Sequence, residues 1–366
     1  MAVSRINEAG LNVNQYGNRN LIINGAMKVA QRGTSFASVG NVYTLDRFQM
    51  YKQNTGAAFT ITQSSVTDLA GFANALKVDC TTADTSLASN EQGYISYFAE
   101  GQDLQGFEKG FSTAKGFTLS FYVKTNKTGL YTVTMFDRDN TRKVNGSYTV
   151  ADTNWNRYTI NFPADATGKF DDNNASSLEI FFNLYAGADT NTGTLYTAWQ
   201  AAADAGSTTG QVNFADSTSN DWEITGVQLE VGDTATDFEH RTFADDLQKC
   251  ERYYQVLLKY GDSSNSANGT LGATALMYNS TYMSVPLTFR TRMRAAPTVV
   301  SANSTGCFKM YRNNGNDPFD DFAAGTGRTP YSIELYNTTD MSGTAGHAGF
   351  IETVNSNATV AVDAEL

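Results

Sequence analysis

Between residues 116 and 124 the chain reads Gly-Phe-Thr-Leu-Ser-Phe-Tyr-Val-Lys, with Phe117, Leu119, Phe121 and Val123 at every second position. Such a period buries one face only as a pleated strand, because a helix would scatter these side chains around its circumference. The pattern returns at Leu130, Thr132, Thr134 and Phe136, and at Tyr158, Ile160 and Phe162, where Pro163 stops it. Residues 178–185 are almost continuously apolar, which predicts a strand covered on both faces. Ile224, Val227 and Leu229, with Gly226 between them, predict the half-buried strand that closes the first β region. Further short segments at 20–25, 43–51, 57–62, 73–79 and 92–99 read as strands. With no amphipathic helix between them, they predict a sandwich or jelly roll rather than a parallel-sheet fold.

One stretch breaks the β pattern. Thr242 is a plausible helix N-cap, Asp245 and Asp246 follow in the first turn, and Lys249 and Arg252 come late, as the helix dipole favours. Phe243, Leu247, Cys250 and Tyr254 then form one apolar stripe, predicted to pack on a neighbour. The expected organisation is all-β. It comprises an arm over residues 1–19, an N-terminal jelly-roll β-sandwich over 20–241, a connecting α-helix over 242–255, and a smaller C-terminal β-sandwich over 256–366. Residues 187–220, rich in Thr, Gly and Asp, are expected to project as a long loop with a single turn of helix.

Composition narrows the function. A net charge of −11 argues against nucleic acid and against an anionic membrane surface, both of which need a cationic face. No run approaches the ~18 apolar residues that cross a bilayer, and residues 1–20 lack the apolar core of a signal peptide. Cys80, Cys250 and Cys307 are widely spaced, which predicts buried thiols and assembly in a reducing cytoplasm. Only His240 and His347 are present, too few for a histidine zinc site, and no catalytic triad is expected around either. No metal or cofactor is expected. Two Asp-rich turns, Asp137-Arg138-Asp139-Asn140 and Asp171-Asp172-Asn173-Asn174, resemble calcium loops but lack the EF-hand spacing and terminal glutamate.

Candidate ligand contacts are the tryptophans. Trp199, in the long loop, and Trp155 and Trp222, at strand starts, have flat faces that could stack on sugar rings. Glycan cleavage needs two carboxylates, and Asp171-Asp172, Asp320-Asp321 and Glu239 are available, mostly in turn-forming sequence. Residues 1–20 carry few apolar side chains. Ile6, Leu11 and Val13 are the candidates for anchoring an arm that orders against a partner; the alternative is a tail without fixed structure.

Several motifs then appear in order: Asn20-Leu21-Ile22-Ile23-Asn24-Gly25, Gln31-Arg32-Gly33-Thr34, Tyr43-Thr44-Leu45-Asp46-Arg47-Phe48, Trp155-Asn156-Arg157-Tyr158, Val227-Gln228-Leu229-Glu230-Val231-Gly232, Phe238-Glu239-His240-Arg241 and Cys250-Glu251-Arg252-Tyr253-Tyr254. As a set they resemble structural proteins of tailed bacteriophages, above all tail fibres carrying a carbohydrate-binding-module-like jelly roll. Residues 289–299 are similar to the C-terminal β-domains of such fibres. The resemblance implies a homotrimer, an arm fixed to other virion proteins, a location in the virion, and contact with host surface glycans. The sequence departs from the usual calcium pattern of these modules, with Met27-Lys28 and Gly226 at the acidic places. The expected function is thus a non-enzymatic virion appendage that binds glycan. The alternatives are a capsid or tail decoration protein making only protein contacts, and a glycan depolymerase.

Overall fold

The computed structural model describes residues 18–262, 268–302 and 304–366. Ile6, Leu11 and Val13, with nearly all of the expected arm, lie outside the described residues. The chain divides into two compact units, one extending to Asp246 and including Leu366, the other spanning Leu247–Glu365.

The strands of the first unit are β1 (Ser35–Phe36), β2 (Val42–Tyr43), β3 (Phe48–Gln53), β4 (Ala58–Ser65), β5 (Asn74–Thr82), β6 (Gln92–Glu100), β7 (Phe117–Thr125), β8 (Gly129–Asp137), β9 (Arg142–Val150), β10 (Asn156–Phe162), β11 (Ser176–Ala186), β12 (Gln200–Ala201) and β13 (Asp221–Val231). They make a six-stranded sheet, β1-β4-β5-β13-β7-β10, and a seven-stranded sheet, β12-β9-β8-β11-β6-β3-β2. Phe121, Val123 and Leu229 from the first sheet and Ile95, Met135 and Phe182 from the second are fully buried in one shared core. Each such side chain contributes roughly 1.5–3 kcal/mol on leaving water. The unit is the expected jelly-roll β-sandwich.

Three local expectations are corrected. Residues 20–25 are not a strand but a turn held by asparagines. Asn20 Oδ1 accepts from the Ile22 and Leu229 amides at 2.9 and 3.1 Å, while its Nδ2 donates to the Val227 carbonyl. Asn24 brackets Val29 and donates to the Asp46 carbonyl. Residues 43–51 are not one strand: Thr44 N donates to the Phe48 carbonyl, and Arg47 turns through φ 73° to make the tight corner between β2 and β3. Asp46 and Arg47 at this corner are both buried, Asp46 accepting from the Gln31 amide and side chain and Arg47 donating to the Phe98 carbonyl. The segment after β11 does not project. Phe214 and Ala215 are fully buried, Gln211 donates to the Leu184 carbonyl, and β12 pairs with β9. Apolar anchors within a polar segment pull it onto the sandwich.

Helix α1 (Phe243–Glu251) begins as expected, Thr242 Oγ1 accepting from the Asp245 amide and donating to its carboxylate. It stops earlier than its apolar stripe predicts. Tyr254 lies in β14 (Tyr254–Lys259), paired with β23 (Thr359–Asp363), and Phe243 at the other end is 56% exposed. An aromatic and aliphatic run offered a ladder partner prefers the sheet. The remaining strands of the second unit are β15 (Thr270–Met277), β16 (Met283–Thr288), β17 (Thr298–Ser301), β18 (Phe308–Arg312), β19 (Gly315–Phe319), β20 (Ala323–Ala324), β21 (Ser332–Asn337) and β22 (Ala348–Thr353). A three-stranded sheet, β14-β23-β17, and a seven-stranded one, β19-β18-β22-β15-β16-β21-β20, enclose a second core around Met277, Val285, Met310 and Val360.

Asn20 tests the account of the turn. Replacing it with alanine leaves two buried amides and a carbonyl unpaired and should cost about 2–4 kcal/mol. Because all three tryptophans lie in the first unit, urea denaturation followed by tryptophan fluorescence reads that loss directly. A loss under about 1 kcal/mol would contradict the anchoring role.

Candidate functional site

Strand alternation gives the seven-stranded sheet two faces. Ile95 and Tyr97 of β6 and Ile180 and Phe182 of β11 point to the core, so Tyr94, Ser96 and Phe98 and then Glu179, Phe181 and Asn183 point outward. On this outer face lies a groove of about 540 Å³. Its floor is a run of aromatic rings. Tyr51 of β3 sits opposite Tyr94 in the ladder, their rings stacked at 4.6 Å and 14°. Tyr94 stacks in turn on Phe181 at 4.3 Å and 15°, and Phe136 of β8 stands 6.3 Å beyond. Amides border this floor: Gln92 Nε2 donates to Gln53 Oε1, and Ser96 Oγ to Gln49 Oε1.

One end of the groove is charged. By register Phe98, Glu179, Phe136 and Lys143 lie side by side across β6, β11, β8 and β9. Arg138 Nη1 donates to Glu179 Oε2 at 2.6 Å, and its guanidinium lies 5.7 Å from the Phe98 ring and 6.0 Å from that of Phe136. Lys143 Nζ stands 5.6 Å over Phe136 and 3.8 Å from Asp204. Burial lifts the Glu179 carboxyl to about 7, although Arg138 and Lys143 pull the other way. Burial also lowers the Lys143 ammonium, against the attraction of Asp204 and Glu179, and raises the Tyr94 hydroxyl. Tyr94, 7% exposed with a ring on each face, is closed to a ligand, so the half-buried Tyr51 and Phe181 are the rings of the stack left to meet one. Apolar rings edged by amides, a guanidinium, an ammonium and a carboxyl suit a sugar: CH groups on the rings, hydroxyls on the polar edges.

The tryptophans do not converge here. Trp222 is fully buried, its indole N–H donating to Tyr148 Oη, so no ligand reaches it; this corrects the expectation from its strand-start position. Trp155 donates to the exposed Asp68. Trp199 packs against the core edge, 6.3 Å from Phe117, with its N–H on the Pro163 carbonyl. The rings that do converge, Tyr51, Tyr94 and Phe181, come from three strands far apart in sequence. The only local sign of them is that aromatic residues occupy the alternate positions of those strands.

The first Asp-rich turn, through Asp137, proves to hold a cation already, an ammonium. Lys109, 5% exposed, donates to Asp137 at 2.6 Å and to the Thr167 and Gly168 carbonyls at 3.0 and 2.8 Å, with Asp165 at 3.1 Å. Asp139 instead accepts from the Asp171 amide. Among the described residues no group of three His, Cys, Asp or Glu side chains is placed to hold a metal. The other carboxylates singled out by sequence fasten turns. Glu239 accepts from the Asn18 and Asn20 amides and from Arg241, Asp320 from the Gly306 amide, and Asp321 from Asn337. His240 packs its ring on Phe72 and Phe238. All three cysteines are free and buried.

No model of a known protein family matches the chain, and no curated protein matches its sequence. Among solved structures it is similar to an arabinose-bound α-L-arabinofuranosidase, at 13% identity and TM-score 0.32 over 64% of this chain and 30% of that one. It is similar also to the tandem CBM22-1-CBM22-2 domains of Paenibacillus barcinonensis Xyn10C, at 11% identity and TM-score 0.28 over 95% and 98% of the two chains. A third is the family 11 carbohydrate-binding module of a Clostridium thermocellum cellulosomal cellulase, at 14% identity and TM-score 0.28 over 56% and 96%. TM-scores this low carry no weight for function; the groove's own chemistry does.

Two measurements test the site's electrostatics. Lys109→Met leaves the buried Asp137 without its cation, Asp165 keeping Arg142 at 2.8 Å, and should cost about 3–5 kcal/mol in denaturant titration, with little loss on Lys109→Arg if the guanidinium fits. For Glu179, the folded pKa of about 7 lies above the ordinary glutamate value of 4.5, so the native state holds its proton longer. Its contribution is therefore complete below the unfolded value and is lost as pH rises through about 7. Glu179→Gln removes that dependence. Between pH 5 and pH 8 the stability difference should move in the variant's favour by about 2–3 kcal/mol; a pH-independent difference would refute the buried-acid assignment.

Proposed function

We propose that the first unit is a non-enzymatic saccharide-recognition module whose groove seats a sugar against the half-buried rings of Tyr51 and Phe181. The observation that carries this is a stack of three rings that encloses Tyr94 and leaves the two outer rings partly exposed along a groove bordered by amides and charges. A buried carboxyl beside it is tied to Arg138, and we assign it no cleavage step.

The ordered motifs described above support placing this module in a tailed-phage virion appendage. In that reading the chain forms a homotrimer, the N-terminal arm joins other virion proteins, and the groove meets host glycans. A decoration protein making only protein contacts is favoured by one observation in the second unit. There Tyr278 is 73% exposed, with Leu276 and Phe350 at 42% and 41% on alternate positions of neighbouring strands, an apolar face suited to a protein partner.

Glycan-array binding by the full chain separates the two. Tyr51→Ala and Phe181→Ala should each weaken the best-bound glycan about 10-fold, as the loss of a stacking face does, with tryptophan fluorescence unchanged. Trp199→Ala should leave affinity as it was. Binding to no glycan, or binding indifferent to both aromatic variants, would discard the recognition reading in favour of decoration.

A further inference from the structure

We propose that the groove selects anionic saccharides, a sugar-borne carboxylate lying against Arg138 and Lys143 while the ring rests on the aromatic floor. The inference rests on the saccharide-recognition reading and names its ligand class.

Arg138 supplies the first reason. Its guanidinium is oriented between Phe98 and Phe136, and one nitrogen is bonded to Glu179. Its other N–H groups have no recorded bond among the described residues, and the side chain is 44% exposed. A planar fork held by two aromatic rings, with donors to spare, is the side chain that grips a carboxylate through paired hydrogen bonds. Neutral hydroxyls can use those donors but cannot use the charge.

Lys143 supplies the second. Its side chain is only 14% exposed, so its ammonium has given up much of its water. The one ion pair recorded for it is long, 3.8 Å, and reaches Asp204, whose side chain is 79% exposed. Such a contact is worth little in solvent. The other acid of the groove, Glu179, is already bonded to Arg138 and, with its carboxyl raised to about 7, carries a full negative charge only above neutrality. A desolvated cation with so weak a partner gains from an incoming anion.

The third reason is contrast. The chain as a whole carries −11, with 37 acidic against 26 basic residues. A groove that retains two cations against one half-neutralised acid and one solvated acid differs from that background. At physiological salt the repulsion of the rest of the surface is screened beyond roughly 8 Å, so the local pair governs an anion already seated.

The test uses the full chain and an array in which acidic oligosaccharides, such as oligogalacturonates, stand beside their carboxyl-reduced neutral counterparts of identical linkage. The expected result is at least 10-fold tighter binding to acidic members, weakening as sodium chloride rises from 50 to 500 mM. Arg138→Gln and Lys143→Gln should each remove most of that preference, weakening the acidic members about 10-fold more than their neutral counterparts. Phe181→Ala should weaken both classes. Equal binding of the acidic and reduced forms, or a preference untouched by the two charge variants, overturns this proposal and leaves saccharide recognition standing. Binding to neither class, with the fold intact, overturns the recognition reading and this inference with it.

Discussion

The register between β6 and β11 fixes the groove. Ser96 lies opposite Phe181 and Phe98 opposite Glu179, so Tyr94 and Phe181 share the outer face while Ile95 and Ile180 share the core. A slip of one residue would exchange the faces, sending rings into the core and aliphatic chains into solvent. Core burial therefore holds the site in place, although no core residue belongs to it. The register also has a built end. It shifts between Asn183 and Tyr185, so that Leu184 and Tyr185 both turn inward and are fully buried. Opposite Tyr185 stands Gly93, where a Cβ would lie 2.2 Å from the tyrosine ring. Only glycine leaves room for that inward turn.

Elsewhere the first unit stabilises its irregular backbone with polar side chains. Asn20 and Asn24 bond main-chain groups that no strand satisfies, and Lys109 neutralises two buried aspartates while capping two carbonyls. Such groups add little net stability when complete and cost much when one member is missing. They select one arrangement of the turns over others that would bury the same apolar area. Gly226 has a related role: at φ 62° it sits where β13 shifts register, and a Cβ would come within 2.8 Å of Phe72 and Tyr122.

The groove itself combines two kinds of interaction with different reach. In the proposed mode, contact with the Tyr51 and Phe181 rings would be short-ranged and tolerant of sugar identity, because pyranose rings present apolar CH groups. The Arg138, Lys143 and Glu179 cluster is directional and sensitive to charge and salt. A buried acid raised to near neutrality beside two cations places the charge balance of the groove within the physiological pH range. The second unit also presents exposed aromatic side chains, at Tyr278 and Phe350, the latter on the same strand face as the Lys309–Glu352 ion pair.

The period-two stripes at 117–123 and 158–162 mark core faces of the β-sandwich, because alternation is a local property and one buried face forces a strand whatever its partner. At 130–136 the strand forms as expected but the core takes the opposite face, Tyr131, Val133 and Met135, leaving Leu130, Thr132, Thr134 and Phe136 outside it. The turn at Asn20–Asn24 and the end of α1 at Glu251 were not legible, since each is decided by a distant partner, Leu229 in one case and β23 in the other. The tryptophans misdirected the search for a ligand site because ring size is visible in a sequence and burial is not: Trp222 is deep in the core. The sequence alone determined which residues could face a ligand, through composition and periodicity. Which of them do was settled by tertiary pairing of β3, β6, β11 and β8, because a binding face is made from neighbours across strands, and no local pattern encodes who the neighbours are.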